Sequence, residues 1–275
     1  MSLIALAVSG RGLVDPASPV LRADDEALLR GRAAFETLRV YAGRPFRLDA
    51  HVDRLVASAE SLDLPPVDRS ELERLASLVL AGAGNAVLRF VWTAGPVGGG
   101  PPAGLVLLSA VPEWIEVVRA RGARAVSLLG IRATAPWLLP GVKSTSYAVN
   151  MAAEAEAKRR GADEAVFVDA DGLVLEGTVT NVWWRRGGTL FTPALGLGIL
   201  AGVTRAALLE LAPASGYRIE EGAYPLDDLL GADEAFTSSS VRELMPLVDL
   251  DGRTLARGPA ADELQQALRD LAASD

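Results

Sequence analysis

The chain has no cysteine, and that absence removes disulfides, thiolate zinc sites, iron–sulfur clusters and cysteine nucleophiles together. Histidine is almost as scarce: His51 stands alone, so a multi-histidine metal centre cannot form within one chain. Of 27 basic residues all but Lys143 and Lys158 are arginine, which leaves few amines for chemistry. No stretch approaches the ~18 uninterrupted apolar residues of a membrane helix. The N-terminus lacks the basic, apolar and small-residue pattern of a secretory signal, so a cytoplasmic protein without a membrane partner is expected. Acidic residues outnumber basic ones by 35 to 27, giving a net charge of −8 with the two signs interspersed. Such a surface repels phosphate backbones, and no nucleic-acid partner is expected.

What is present suffices for a large core. With 50% hydrophobic and 23% charged residues the chain is not disordered, and 275 residues suit one large α/β unit or two compact halves. Phe35–Tyr41 reads as a strand, Ala42-Gly43 as a turn, and Asp49 as the N-cap of a helix to about Ser61. A second helix covers roughly 70–81 and an apolar strand 86–93. The Gly- and Pro-rich run 94–104 is a loop, read as the mouth of a site, and 105–111 returns as a strand. Pro112 to Val118 is the best connector between halves.

Beyond it, 124–132 reads as a strand and 144–160 as a helix closed by Gly161. Short strands follow at 164–169, 173–176, 180–185 and 189–192, with hairpin signals at Asp171-Gly172 and Gly187-Gly188. Gly198–Arg205 leads into a helix through Ala212, 235–240 is a strand running into a polar turn, and a last helix spans about 260–273.

Lys158 lies in a charge-rich helix end, where a cation complements the helix dipole. Lys143 differs: it follows the turn segment Leu139–Val142 and precedes Ser144-Thr145-Ser146, which can cap a new helix. Gly202-Val203-Thr204 opens a helix with unpaired amides, a form that suits an anion. Ser238–Ser240 reads as a polar turn. Arg54, three residues beyond His51 on one helix face, reads by itself as a surface feature.

Taken in order, six segments resemble the class IV, D-amino-acid-transaminase-like enzymes that use pyridoxal phosphate, a family that includes branched-chain aminotransferases and aminodeoxychorismate lyases. They are Phe35–Tyr41, Phe46–Leu55, Lys143–Tyr147, Leu175–Asn181, Gly198–Arg205 and Thr237–Pro246. The resemblance implies an α/β (α+β) fold of two domains: a smaller N-terminal α/β domain over 1–111, a connector at 112–118 and a larger cofactor-binding domain over 119–275. It also implies a homodimer and a small-molecule amino substrate. It implies that Lys143 forms the Schiff base with the cofactor aldehyde, the residue that the scarcity of lysine also singles out. Glu176 is implied opposite the pyridine nitrogen; Arg54, the amides of Val203 and Thr204, and the Ser240 hydroxyl are implied at the phosphate. Tyr147 is implied near the phenolic oxygen, although it stands one residue closer to the lysine than in branched-chain members, and Asn181 supports the site.

Two reactions divide such a family, amino-group exchange and elimination of pyruvate from aminodeoxychorismate. Where D-amino-acid enzymes and many lyases carry Thr-Arg-Gly this chain has Thr93-Ala94-Gly95, so an expected carboxylate-binding arginine is missing, which weakens the D-amino-acid reading. Arg89 and Arg39 are the remaining candidates for a substrate carboxylate. The short N-terminus, the overall length and the segment Ser239–Pro246 resemble the lyase branch, which is the expected activity.

Overall fold

The computed structural model describes residues 2–130 and 138–274. Contacts divide them into two compact units, one built from residues 2–112 with Val142–Tyr147, the other from residues 113–130, 138–141 and 148–274.

The first unit contains β1 (Leu3–Val8), β2 (Gly12–Val14), α1 (Glu26–Arg30), β3 (Ala33–Tyr41), β4 (Arg44–Pro45), α2 (Leu48–Ser61), α3 (Arg69–Leu80), β5 (Ala86–Thr93) and β6 (Gly104–Ser109). Its six strands form an antiparallel sheet in the order β2-β1-β6-β5-β3-β4. Side chains alternate across a strand, so Leu38 and Val40 of β3 enter a core with Leu88 and Phe90 of β5, Leu55 of α2 and Leu72 and Leu75 of α3. The turn at Ala42-Gly43 has positive φ at both residues, 48° and 84°, which suits the twist of the β3–β4 hairpin.

Local details differ from expectation at the start of α2. Arg47, in a left-handed conformation at φ 53°, precedes the helix without a side-chain cap, and Asp49 lies inside the first turn, where its charge meets the positive end of the dipole. By contrast α3 has its cap: Asp68 accepts from the Glu71 amide at 3.0 Å.

The second unit contains α4 (Trp114–Arg121), β7 (Ala123–Leu129), α5 (Ala148–Arg159), β8 (Glu164–Val168), β9 (Val174–Gly177), β10 (Asn181–Arg186), β11 (Thr189–Pro193), α6 (Val203–Ala214), β12 (Arg218–Gly222), α7 (Leu226–Leu230), β13 (Glu234–Ser239), β14 (Glu243–Leu250), β15 (Arg253–Thr254) and α8 (Ala260–Ser274). Its nine strands run β12-β11-β10-β13-β14-β7-β8-β9, with β15 on β14. One further pair, Asn181 with Glu176, joins β10 to β9 and closes the hydrogen-bonded path into a ring. Strand β8 is buried along its whole length, and after Glu164 its residues are apolar in succession rather than alternating, as expected of a strand covered on both faces.

Three sequence expectations change here. The segment 112–118 holds the division between the units, after Pro112, but it is helical from Trp114 onward, carrying the first half of α4 with Ile115 fully buried. The strand expected over 124–132 is β7, ending at Leu129; residues 131 and 132 lie outside the described residues. The helix expected from Ser144 begins at Ala148, because residues 143–145 run extended beside β3: Phe35 N–H donates to the Lys143 carbonyl at 3.1 Å and Thr145 N–H to that of Ala33 at 2.9 Å. The serine and threonine therefore cap no helix. Thr145 Oγ1 donates to the Gly31 carbonyl at 2.8 Å and Ser146 Oγ to the same oxygen at 3.1 Å. For the same reason Lys143 groups with the first unit and not with the C-terminal one to which its number assigns it.

Candidate active site

In the first unit the chemistry gathers on β3. Phe35, Thr37 and Arg39 alternate onto one face, and Arg89, opposite Thr37 on β5, shares it. Arg89 Nε donates to Thr37 Oγ1 at 3.2 Å, and its guanidinium lies 5.6 Å from the Phe35 ring centroid. Burial lowers the Arg89 pKa from its ordinary value against a smaller opposing effect of Tyr147. The Lys143 amine stands 4.5 Å from the same ring, and Tyr147 meets it edge-on at 5.4 Å. Lys143, Arg89, Phe35 and Tyr147 thus form one cluster. Arg39, two residues along the face, is nearly buried and lies 5.6 Å from the Tyr41 ring centroid.

The other face of β3 carries Glu36, with no solvent exposure among core residues Leu38 and Val40. A bare carboxylate there would be costly. Arg54 and His51 of α2 satisfy it: Arg54 donates from Nε to Oε1 at 2.7 Å and from Nη2 to Oε2 at 2.8 Å, and His51 Nδ1 lies 2.7 Å from Oε2. Burial alone would raise the Glu36 pKa, but the hydrogen bonds from Arg54 and His51 outweigh it and hold the carboxyl at about 2. The His51 pKa is lowered, chiefly by burial, against the pull of Glu36. An ionised carboxylate only accepts, so His51 donates from Nδ1. The pair read from sequence as a surface feature is instead a buried one, because α2 lays this face on the sheet. Glu36 carried a signal that went unused: an acid at a core-facing position of a period-two strand requires partners.

In the second unit Glu176 and Asn181 bracket one peptide. Glu176 Oε2 accepts from the Leu200 amide at 3.0 Å, and Asn181 Nδ2 donates to the Leu200 carbonyl at 3.0 Å. That fixes the approach to α6, whose N-cap is Gly202. Among the described residues no side chain caps this helix start, and a Cβ at 202 would collide with Asn181 Oδ1, so the position admits glycine alone. The Val203 and Thr204 amides open the helix, and Thr204 Oγ1 is 3.4 Å from Ser240 Oγ in the turn after β13. That turn is tied down from below. Arg242 donates to the buried Glu164 at 2.7 Å, and Glu164 also accepts from Thr178 Oγ1 at 2.7 Å and Thr180 Oγ1 at 3.2 Å.

The predicted residues therefore fall into two sets, Arg39, Arg54, Arg89, Lys143 and Tyr147 in the first unit and Glu176, Val203, Thr204 and Ser240 in the second. Lys158 is exposed in the last turn of α5, a charge on a helix end and nothing more. Among the described residues no cluster of His, Asp and Glu could hold a metal ion, and no helix is long and apolar enough to cross a membrane.

Residues 33–250 match the amino-transferase class IV family, and the chain belongs to it. It is 35% identical to the bifunctional aminodeoxychorismate lyase / D-amino acid transaminase of Mycobacterium tuberculosis, over 96% of this chain and 97% of that protein. The aminodeoxychorismate lyase of Bacillus subtilis is 34% identical, over 89% of this chain and 86% of its own length. Among solved structures, the pyridoxal-phosphate-bound form of an M. tuberculosis hypothetical aminotransferase superposes with a TM-score of 0.90 at 35% identity, covering 98% of both chains. The fold is that of the fold type IV aminotransferases, and the protein is an enzyme of this family, which works with pyridoxal 5'-phosphate.

Proposed function

We propose that this chain is an aminodeoxychorismate lyase, converting 4-amino-4-deoxychorismate to 4-aminobenzoate and pyruvate, a step toward folate. The observation that carries the chemistry is the setting of Lys143: one of two lysines in the chain, held extended along β3 with its amine 4.5 Å from the Phe35 ring and two arginines on the same strand face.

The residues fit pyridoxal 5'-phosphate. The first unit offers an amine and a guanidinium, and the second a buried carboxylate and a helix start that only glycine can precede. When bound, the cofactor supplies an aldehyde that takes an amine and a protonated pyridine ring that draws electrons from the α-carbon. Lys143 would hold it through Nζ, and the amine once exchanged would carry a proton to or from the substrate. Glu176 would keep the pyridine nitrogen protonated, its carboxylate already oriented by the Leu200 amide. Arg54, the Val203 and Thr204 amides and Ser240 would hold the phosphate dianion, for which a guanidinium and backbone donors are the strong partners. Tyr147 would lie near the phenolic oxygen.

Aminodeoxychorismate carries two carboxylates, and Arg89 and Arg39 would supply two guanidiniums on the sheet face that carries Phe35, Arg89 beside the ring that Lys143 also meets. Ala94, where an arginine would serve a D-amino acid, counts against a D-amino-acid substrate, and the names of the two relatives support the lyase. The second reading is amino-acid transamination, of the D-amino-acid or branched-chain type. It is favoured by the double name of the M. tuberculosis relative and by the fact that a dicarboxylic amino donor would meet the same two arginines.

Incubation with aminodeoxychorismate and no keto acid should release pyruvate and 4-aminobenzoate in equal amounts. No release, together with amino-acid-driven conversion to the pyridoxamine form, selects transamination. Borohydride reduction and peptide mapping should place the cofactor on Lys143, and Lys143→Ala should lose both attachment and turnover; attachment elsewhere overturns the assignment. The assembly would be a homodimer in the cytoplasm. Leu28 and Leu29 of α1, 63% and 56% exposed, are apolar surface that a second copy could cover, and sedimentation reads the mass.

A further inference from the structure

Among the buried polar side chains that the proposed chemistry leaves unused are Glu36 and His51. Both are closed off from water in the first unit, with side-chain exposures of 0% and 1%, and Arg54 is 14% exposed. Stability alone is a poor reason for such a cluster, because a buried ion pair is often no better than apolar side chains of equal volume. Its geometry serves another end. Glu36 grips one whole edge of the Arg54 guanidinium through Nε and Nη2, which sets the plane of the group and its rotation about the side chain. His51 fixes the carboxylate in turn, by a bond to the oxygen that Nη2 also uses.

One helix face organises all of this. His51 and Arg54 are three residues apart on α2 and reach the same strand position. Ser58, one turn further, accepts the Lys143 amide at 3.2 Å. The face that orients the guanidinium thus also holds the backbone of the lysine, so a displaced Arg54 and a displaced Lys143 are coupled through α2.

We propose that Glu36 and His51 are positioning residues for the cofactor phosphate, locking the Arg54 guanidinium in the one orientation that receives it. The proposal rests on the reading of Arg54 as the phosphate cation, and it adds that the arginine is effective only while its other edge is held.

The test compares two probes on the full-length apoprotein, pyridoxal 5'-phosphate and pyridoxal, which lacks the phosphate. The dissociation constant of pyridoxal divided by that of pyridoxal 5'-phosphate isolates what the phosphate contributes. Arg54→Met should lower this ratio by about thirtyfold or more, and Glu36→Gln and His51→Leu by about tenfold each. His51→Asn, which keeps a donor toward Glu36, should stay within about threefold of the parent. In an Arg54→Met background, Glu36→Gln should change the ratio no further. An unchanged ratio in Arg54→Met overturns the phosphate assignment itself. A lowered ratio in Arg54→Met combined with an unchanged or raised ratio in Glu36→Gln and His51→Leu overturns the positioning role alone. So does an equal loss for both probes, the mark of a merely structural residue. If Glu36→Gln does not fold, the contrast between His51→Leu and His51→Asn decides the matter by the same ratio.

Discussion

Replacing Glu36 by glutamine tests the electrostatics of the first unit through its acid stability. The carboxyl is held at about 2 in the fold against an ordinary value of 4.5. A depressed carboxylate contributes stability above its unfolded pKa and loses it as pH falls through the folded one. The full contribution is about 3 kcal/mol at neutral pH. It is intact at pH 5 and about 2 kcal/mol smaller at pH 3, where the unfolded chain has taken up the proton and the folded one has not. His51 adds a slope of the same sign: its pKa is lowered in the fold, so the unfolded state binds that proton first and stability falls below about 6.5. The assay is urea unfolding of wild type and Glu36→Gln at a series of pH values. Subtracting the two removes the other carboxylates, and the wild-type advantage should shrink by about 2 kcal/mol between pH 5 and pH 3. A difference that stays constant over that interval would falsify the picture of an ionised Glu36 clamped by Arg54.

Gly202→Ala should destabilise the second unit by about 1–3 kcal/mol, since its Cβ meets Asn181 Oδ1, and Asn181→Ala in the same chain should return part of the loss; strict additivity in unfolding experiments would refute the contact. Arg242→Met leaves the buried Glu164 without its arginine partner, held by Thr178, Thr180 and the Ala165 amide, and should cost about 2–4 kcal/mol, most of it recovered by adding Glu164→Gln. A double variant no more stable than Arg242→Met alone would show that the charge on Glu164 is not what the arginine answers.

Much of this architecture was legible because local and tertiary preferences agree. The strand 86–93 and the helix near 70–81 carry their period, their caps and their core face in consecutive residues, and the structure has them at Ala86–Thr93 and Arg69–Leu80. Strand β14 was missed because Pro246 argues against a central strand. The structure tolerates it because pairing of β14 with β7 begins only at Leu247, so the missing N–H falls where no bond to β7 is made. The stretch 144–146 misled for a different reason. Serine and threonine before an apolar run are cap signals, but here their hydroxyls go to the Gly31 carbonyl, a partner more than 100 residues away in sequence. Lys143 was identified by rarity and by resemblance, yet its pairing with β3 could not be read from any local pattern.

The two units hold their polar side chains by a common device. In each, a buried carboxylate from a strand organises a loop or a guanidinium rather than standing as a reactive acid. Glu36 fixes Arg54, Glu164 joins the turn after β9 to the turn after β13, and Glu176 holds the Leu200 amide ahead of α6. The last of these also sits in the single pair that closes the sheet of the second unit into a ring. Closure steadies Glu176, because an open edge there would leave its carboxylate on a strand end free to fray. With Asn181 opposite it in register and both side chains bonded to one peptide, the carboxylate and the start of α6 move together or not at all. On the proposed reading, in which Glu176 would meet the pyridine nitrogen and the start of α6 the phosphate of one rigid molecule, those two groups must keep a fixed separation, and the Glu176–Leu200–Asn181 bracket would supply it.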